Sequence, residues 1–510
     1  MKTELRAAIL TLGCKVNHYE SQAMAELLEN AGYQMVPFTE MADVYIVNTC
    51  TVTEVAAKKS RQMIHRARTL NPEACVVAAG CYSERDDAPK ALLEAPEGER
   101  PLADFLLLNK EKGDLIERLN AWFSAYAAAA ERTDLTAAAA AERTDLTAAE
   151  VLTANEESKA KQPSNSLFIT NFEGKTRAVM KVQDGCRQFC TYCLIPYVRG
   201  PLQSRPVEEC VREAKGLAQA GFKEIVVTGI HLSSYGLDWK DEVYNRTEFP
   251  GDDLAALIHE LGQIPGIERI RLGSLEPRLI SDEWVEKVKN EKKLCPHFHL
   301  SLQSGGDKVL KEMNRQYTAE DFRQAVRRLR EAFPDVAITT DVIAGFAGET
   351  EEDHQASLEF VREMQFAEAH IFRYSRMKGT AAYGRKDQVS QELKKRRSEE
   401  LLAVTAESTE AFMQSMQGRE ADVLLETPAD EEDRTGAVTA AAGENAGGRV
   451  WIGTTPNYVR VAIELPEGGD DARGTIVKAV ISGYYKAGSA NHAASGLERI
   501  LKGTIKKGDL

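Results

Sequence analysis

Cys186-Arg187-Gln188-Phe189-Cys190-Thr191-Tyr192-Cys193 follows directly on an apolar strand pattern, Ala178–Val182. Three thiols at spacings of four and three residues can converge on one small centre from a single loop. Cysteine thiolates are the usual ligands of iron–sulfur clusters. Structural zinc is the alternative, but it takes four ligands. No histidine lies between 184 and 200, and no fourth cysteine is near. A three-cysteine loop leaves one iron of a four-iron cluster without a protein ligand, and a substrate can chelate that iron.

The pattern around this loop decides the fold class. From about 175 to 415 six strand candidates alternate with helical segments. The strands are Ala178–Val182, Glu224–Thr228, Arg269–Leu275, His297–Gln303, Ala337–Ile343 and His370–Ser375. Val207–Ala220, Ala319–Phe333 and Glu351–Met364 read as helices. This rhythm predicts an α/β architecture with a parallel sheet curled into a partial (βα)6 barrel, spanning 171–416. Chemistry in such folds sits at the carboxyl ends of the strands, where the loop lies.

Residues 1–116 show the same alternation and predict a second parallel α/β domain. Its strands are Ala7–Leu12, Val44–Val47 and Val76–Ala79, and its helices include Ser21–Asn30 and Thr53–Arg68. Cys14, Cys50 and Cys81 each follow one of these strands. The carboxyl ends of parallel strands share one edge, so three distant cysteines can meet there. Gly13 and Gly80 precede two of them and suit tight turns. Two alternatives stay open at this point: three core cysteines, or a zinc site completed by His18. Cys75, Cys210 and Cys295 sit in apolar or helical contexts and are expected to pack.

Residues 117–170 are alanine-rich, with Glu-Arg-Thr-Asp-Leu-Thr at 131–136 and again at 142–147. Such a segment lacks the large apolar residues of a core and reads as a spacer. Residues 417–488 switch to short strands, Asp422–Glu426, Val450–Ile452, Asn457–Ile463 and Thr475–Ile481, and predict a small antiparallel β-barrel. It is interrupted by an acidic insert at 428–448, and 489–510 reads as a tail.

Composition sets the outer bounds. With 43% hydrophobic and 28% charged residues in 510, wholesale disorder is excluded. No apolar run reaches the roughly 18 residues of a membrane span. Nine cysteines are too few for a disulfide-dense secreted fold, so a cytoplasmic protein is expected. Ala7 to Cys14 superficially resembles a lipoprotein signal, but Glu4 spoils the leader and the apolar run is short. The net charge of −14 requires any nucleic-acid contact to come from local patches. Lys58, Arg61, His65 and Arg68 fall at helical spacing; a solvated helix face is the alternative. Lys394 to Arg397 are followed by Glu399 and Glu400, which favours a solvated helix. Tyr458 and Arg460 offer a stacking ring and a charge to unpaired bases, or simply pack in the barrel.

The CxxxCxxC loop, with an aromatic residue just before its last cysteine, resembles the radical S-adenosylmethionine family. The two cysteine triplets together resemble its methylthiotransferases, which join an amino-terminal cluster domain, a radical S-adenosylmethionine barrel and a carboxyl-terminal TRAM domain. The resemblance spans the chain except the alanine-rich linker, the 428–448 insert and the tail. Gly13-Cys14-Lys15-Val16-Asn17, Tyr19-Glu20-Ser21, Asn48-Thr49-Cys50-Thr51-Val52-Thr53 and Lys59-Ser60-Arg61-Gln62 look like the branch acting on threonylcarbamoyladenosine in tRNA. So do Thr228-Gly229-Ile230-His231-Leu232, Tyr235-Gly236, Leu302-Gln303-Ser304-Gly305 and Thr340-Asp341-Val342-Ile343 with Gly345-Phe346.

That resemblance implies two [4Fe-4S] clusters. Cys186, Cys190 and Cys193 would hold one, whose open iron binds S-adenosyl-L-methionine. Cys14, Cys50 and Cys81 would hold the other, where sulfur binds. Tyr192 would lie beside the cofactor's adenine, and Ser274, Glu276, Gln303, Gly345 and Glu349 would point to its pocket; strand-end turns and caps are the bland reading of these five. The implied reaction converts N6-threonylcarbamoyladenosine next to the anticodon of tRNA to its 2-methylthio derivative. S-adenosyl-L-methionine would serve as methyl donor and radical source, and flavodoxin or ferredoxin as electron donor. The C2–H bond of adenine is beyond the acid–base reach of side chains, which is why a radical cofactor is needed. The alternatives are a ribosomal-protein side chain as target, and a non-catalytic RNA-binding iron–sulfur protein. Ala347 stands where proline is common in the family, and Arg373 where Phe-Pro-Tyr is usual; both concern loops at the pocket rim.

Overall fold

Val44–Thr49 and Cys75–Gly80 are buried at every position, as strands are in a parallel sheet covered on both faces. They are the centre of a five-stranded sheet in a computed structural model that describes residues 5–96, 99–135, 167–172, 174–239, 249–429, 449–465, 471–485 and 500–505. The chain divides into two compact units. One comprises Met1–Ile169, Cys193–Pro201 and Ser375–Thr380; the other comprises Thr170–Tyr192, Leu202–Tyr374 and Ala381–Leu510.

In the first unit the sheet runs β2-β1-β3-β4-β5, with β1 at Arg6–Thr11, β2 at Gln34–Met35, β3 at Val44–Thr49, β4 at Cys75–Gly80 and β5 at Phe105–Leu107. All its pairs are parallel. Register places Thr11 beside Asn48, and Thr49 beside Gly80. The helix Glu54–Leu70 starts where Thr53 Oγ1 accepts from Ala56 N, a side-chain cap for an otherwise orphaned donor. The two-residue β2 and three-residue β5 escaped the sequence pattern because strands so short show no periodicity. The helix Leu115–Leu135 enters the alanine-rich segment; the second copy of its repeat lies outside the described residues.

The second unit holds six parallel strands. A sheet of β7-β6-β8-β9 comprises β6 (Arg177–Asp184), β7 (Gln203–Ser204), β8 (Glu224–Gly229) and β9 (Arg269–Leu272), with the two-residue β7 antiparallel to β6. β10 (His297–Gln303), β11 (Ala337–Ala344) and β12 (Glu368–Arg373) form the other. Bridges Ile270–Leu294 and Leu275–Leu300 join the two parallel sets. The expected six-unit α/β barrel is therefore present. Capping boxes at Thr318/Asp321 and Thr350/Asp353 start two of its helices. Met180, Ile225, Ile270, Leu300 and Val342 pack under those helices in one core, so their strand neighbours line the inner face.

The carboxyl-terminal strands β13 (Glu420–Pro428), β14 (Arg449–Thr454), β15 (Arg460–Leu465), β16 (Ile476–Tyr484) and β17 (Leu501–Ile505) close into a barrel. It differs from the expected antiparallel barrel at one pair, β15 with β17, which is parallel. A closed ring with an odd number of strands cannot alternate throughout. β17 also corrects the expected tail at 489–510, because it supplies the closing strand. The insert at 430–448 lies outside the described residues. Cys75, Cys210 and Cys295 are buried core residues as expected. Among the described residues no helix is long and apolar enough to cross a membrane.

Two cysteine triplets as candidate metal centres

The sheet register brings the amino-terminal triplet together. Cys50 and Cys81 immediately follow the paired Thr49 and Gly80, and a Cβ on Gly13 would lie 2.9 Å from both Cβ and Sγ of Cys50. Cys50 and Cys81 are buried, and Cys14 is exposed. Among the described residues one trio of histidine, cysteine or carboxylate groups brings its ligand atoms within 4.8 Å of one another, and it contains none of these thiols and not His18. Three thiols with no histidine or fourth cysteine among them suit three corners of a four-iron cube, whereas structural zinc takes four ligands.

A buried charge network backs these thiols. Arg199 Nε donates to Cys81 Sγ at 3.2 Å, while its Nη1 reaches Glu20 at 2.7 Å and its Nη2 reaches Asn17 Oδ1 at 2.6 Å. Lys112 donates to Glu20 and, at 3.3 Å, to Asn48 Oδ1. Asn17 Nδ2 ties Leu12 O to Thr49 O, at 2.7 and 2.9 Å, and so fixes the Cys14 turn against the Cys50 turn. Burial pushes the Cys50 thiol up to about 11 and raises Cys81. The Arg199 charge opposes both.

Gly80 adopts φ +86°, and a Cβ there would meet Asn48 Oδ1 and Thr49 O at 2.5 Å. Gly80→Ala is expected to cost roughly 1–3 kcal/mol from backbone strain alone, with more from the clash. Thermal unfolding checks this, and an unchanged midpoint would contradict it.

The second triplet occupies the loop after β6. Cys186 Sγ accepts from Gln188 N at 3.5 Å, Cys193 Sγ from Ile195 N at 3.4 Å, and Cys190 Sγ from Arg315 Nη1 at 3.3 Å. Asn314 Nδ2 donates to Gln188 O and Phe189 O, at 3.2 and 2.9 Å, and Thr191 N to Met313 O at 3.0 Å. These bonds hold Phe189 at φ +50°, a conformation that costs energy outside glycine. Arg315 also donates to Tyr317 OH at 3.0 Å.

The pocket residues read from sequence divide into two kinds. Glu276 is buried after β9, within 2.9 Å of His231 Nε2, and bonded by Arg278. Burial alone would raise its carboxyl; the His231 bond and the Arg315, His231 and Arg278 charges hold it at about 2. Tyr192 packs edge-on against Phe346 at 6.4 Å. Gln303 stands at φ +68° and Ser274 is exposed. Glu349 turns inward instead: its carboxylate accepts from Gly345 N at 3.2 Å, Phe346 N at 3.3 Å and Arg397 Nη1 at 2.9 Å. It braces the Gly345 turn from within.

Several basic residues need correction. Arg68 is taken up by Asp104 at 2.6 Å and by the carbonyls of Pro101, Pro72 and Ala74, so it is not free for phosphate. Lys58 and His65 are exposed on that helix, and Arg61 reaches Tyr82 OH at 3.2 Å. Tyr458 is not an open stacking face. It stacks on His297 at 4.6 Å with Arg271 and Arg177 over its ring, while Arg269 and Arg271 bond the Thr454 and Pro456 carbonyls at 2.8 Å. Arg460 is partly buried, opposite Thr454. Lys394 and Arg397 face inward, to Tyr374 O at 3.1 Å and to Glu349, whereas Lys395 and Arg396 are exposed and pair with Glu399 and Glu400 on the expected solvated face.

Comparison with known proteins agrees with this geometry. The Radical SAM superfamily matches residues 180–361, the class that the six-stranded barrel and its cysteine loop define. An uncharacterized protein family, UPF0004, matches residues 6–100. The chain is 35% identical to the threonylcarbamoyladenosine tRNA methylthiotransferase MtaB of Bacillus subtilis, covering 94% of each. It is 36% identical to MtaB of Aquifex aeolicus over 82% of this chain and 93% of that one. A tRNA-2-methylthio-N(6)-dimethylallyladenosine synthase of Clostridium tetani is 33% identical over 82% and 84%. The chain belongs to the tRNA methylthiotransferase family of radical S-adenosylmethionine enzymes. At the level of fold it is similar to the radical S-adenosylmethionine methyltransferase TsrM of Kitasatospora setae, with a TM-score of 0.51 at 13% identity, covering 79% of this chain and 89% of that one.

Proposed function

We propose that this chain methylthiolates C2 of N6-threonylcarbamoyladenosine next to the anticodon of tRNA, using two [4Fe-4S] clusters and S-adenosyl-L-methionine. The observation that carries this is the amino-terminal triplet: three thiols brought to one sheet edge, in a chain that also bears CxxxCxxC after a barrel strand. When bound, the clusters and S-adenosyl-L-methionine supply an electron, a carbon radical and a methylated sulfur. Cys186, Cys190 and Cys193 hold the first cluster, and Cys14, Cys50 and Cys81 the second. Arg199 and Arg315 each donate to a ligand sulfur. Arginine keeps its proton at any physiological pH, so Arg199 favours the Cys81 thiolate that burial opposes, and Arg315 sets a fixed positive charge against the Cys190 sulfur.

The first α/β domain, 1–116, carries the second cluster, 171–416 the cofactor barrel, and the closed barrel, extended to β17, plays the TRAM role. Tyr192, Glu276 and Gln303 orient the cofactor at the strand ends. Lys58 and Arg61 belong to the RNA-facing side, and a one-electron donor such as flavodoxin or ferredoxin serves the barrel cluster.

The test is nucleoside mass spectrometry of tRNA from cells that lack the gene. The methylthio-threonylcarbamoyladenosine peak is expected to vanish and to return with the wild-type gene. A persisting peak, with a mass change in a ribosomal protein instead, would overturn the tRNA assignment.

A further inference from the structure

Besides the two triplets, three adjacent strands place an unexplained ligand set on the inner face of the six-stranded sheet. Phe298, Leu300, Leu302, Ile338 and Val342 pack under the helices. Alternation therefore puts His299 of β10 and Asp341 of β11 on the opposite face, with His370 of β12 directly opposite Asp341 in register. Their ligand atoms lie within 4.8 Å of one another. Asp341 Oδ2 is 3.3 Å from His299 Nε2, and Asp341 Oδ1 is 3.1 Å from His370 Nδ1.

We infer that His299, Asp341 and His370 bind one first-row divalent transition ion, of the kind zinc represents. Two imidazoles and one carboxylate with open positions are a known ligand set for such ions. Bonds of about 2.1 Å place neighbouring ligand atoms roughly 3.0–3.4 Å apart in octahedral or tetrahedral geometry, a range in which both Asp341 contacts fall, one through each carboxylate oxygen. The 3.1 Å contact is also within hydrogen-bond range, and the zinc test below separates the two readings. One far ring nitrogen has a hydrogen-bond partner of the kind a second shell supplies, in a hydroxyl that also meets His297 Nε2 at 3.1 Å, and the other faces a carboxylate beyond hydrogen-bond reach. His299 Nδ1 is 3.0 Å from Thr339 Oγ1, and His370 Nε2 is 3.6 Å from Glu368 Oε1. Two nearby carboxylates favour a cation. β12 ends the sheet and pairs only with β11 in it, so an ion bridging three strands would pin that edge.

The test uses anaerobically prepared holoenzyme with both clusters in place, exposed to excess zinc, desalted and analysed for zinc and iron. One retained zinc per chain with unchanged iron is expected. Asp341→Asn, which preserves shape and a hydrogen-bond acceptor, is expected to lose it. Thr339→Val is expected to weaken it roughly 10–100-fold, and this milder change keeps the test open if Asp341→Asn does not fold. No retained zinc means hydrogen bonds only and overturns the site. Retention unchanged in folded Asp341→Asn, or iron lost as zinc is gained, places the zinc elsewhere and also overturns it.

Discussion

Cys190→Ala is expected to abolish both deoxyadenosine and methylthio product, whereas Cys14→Ala abolishes the methylthio product and leaves deoxyadenosine formation intact. The asymmetry follows from where the thiols sit. Cys190 belongs to the loop after β6, at the strand end where S-adenosyl-L-methionine chemistry is proposed. Cys14 belongs to the separate sheet edge of the other unit. Each substitution should lower anaerobically reconstituted iron from about eight to about four per chain, since a four-iron cluster held by two cysteines is poorly retained. Cys14 is the cleaner probe because it is exposed. Cys81→Ala would also strip Arg199 of a buried acceptor, which couples cluster loss to destabilisation. Anaerobic assays with reductant and S-adenosyl-L-methionine, read by chromatography, decide the outcome. If Cys14→Ala lost deoxyadenosine together with product, the division of labour between the triplets would be wrong.

Much of this site was legible because its ligands are tied to periodicity. The strand runs Val44–Val47 and Val76–Ala79 place Cys50 and Cys81 one turn beyond a sheet edge, and that follows from pattern alone. His297–Gln303 and Glu351–Met364 coincide with the observed elements. Arg199, Lys112 and Arg315 were not legible: a buried arginine and a solvated one carry the same local signature, and their partners lie from 64 to 182 residues away in the chain for Arg199 and Lys112 or 125 for Arg315. The same blindness made Arg68, Lys394 and Tyr458 look like surface groups. Strand β17 was hidden by its separation from β16 and its short, mixed sequence Leu501-Lys502-Gly503-Thr504-Ile505.

Glu20→Ala is expected to be among the most destabilising single changes in the first unit, by about 3–5 kcal/mol, because it leaves two buried cations without their shared anion. Glu20 and the Arg199 side chain are fully buried, and Lys112 is 1% exposed. Burial lowers the Lys112 ammonium pKa, and the Glu20 charge opposes that shift. A loss of that size corresponds to a fall of roughly 10 °C in melting temperature for a unit of this size. Added salt should leave the fall nearly unchanged, since buried pairs are weakly screened. A surface pair such as Arg323–Glu363, at 37% and 47% exposure, should instead contribute no more than about 1 kcal/mol. Replacing Glu20 and Lys112 together by methionine should recover part of the loss, because one uncompensated charge goes with the other. Arg199 would still lack its anion, so recovery should stop short of the wild type. Thermal unfolding of the single and double variants measures both terms, and a Glu20→Ala effect of surface size would show that Arg199 and Lys112 find water or other partners. In that case the network would not be what holds Arg199 against the Cys81 sulfur.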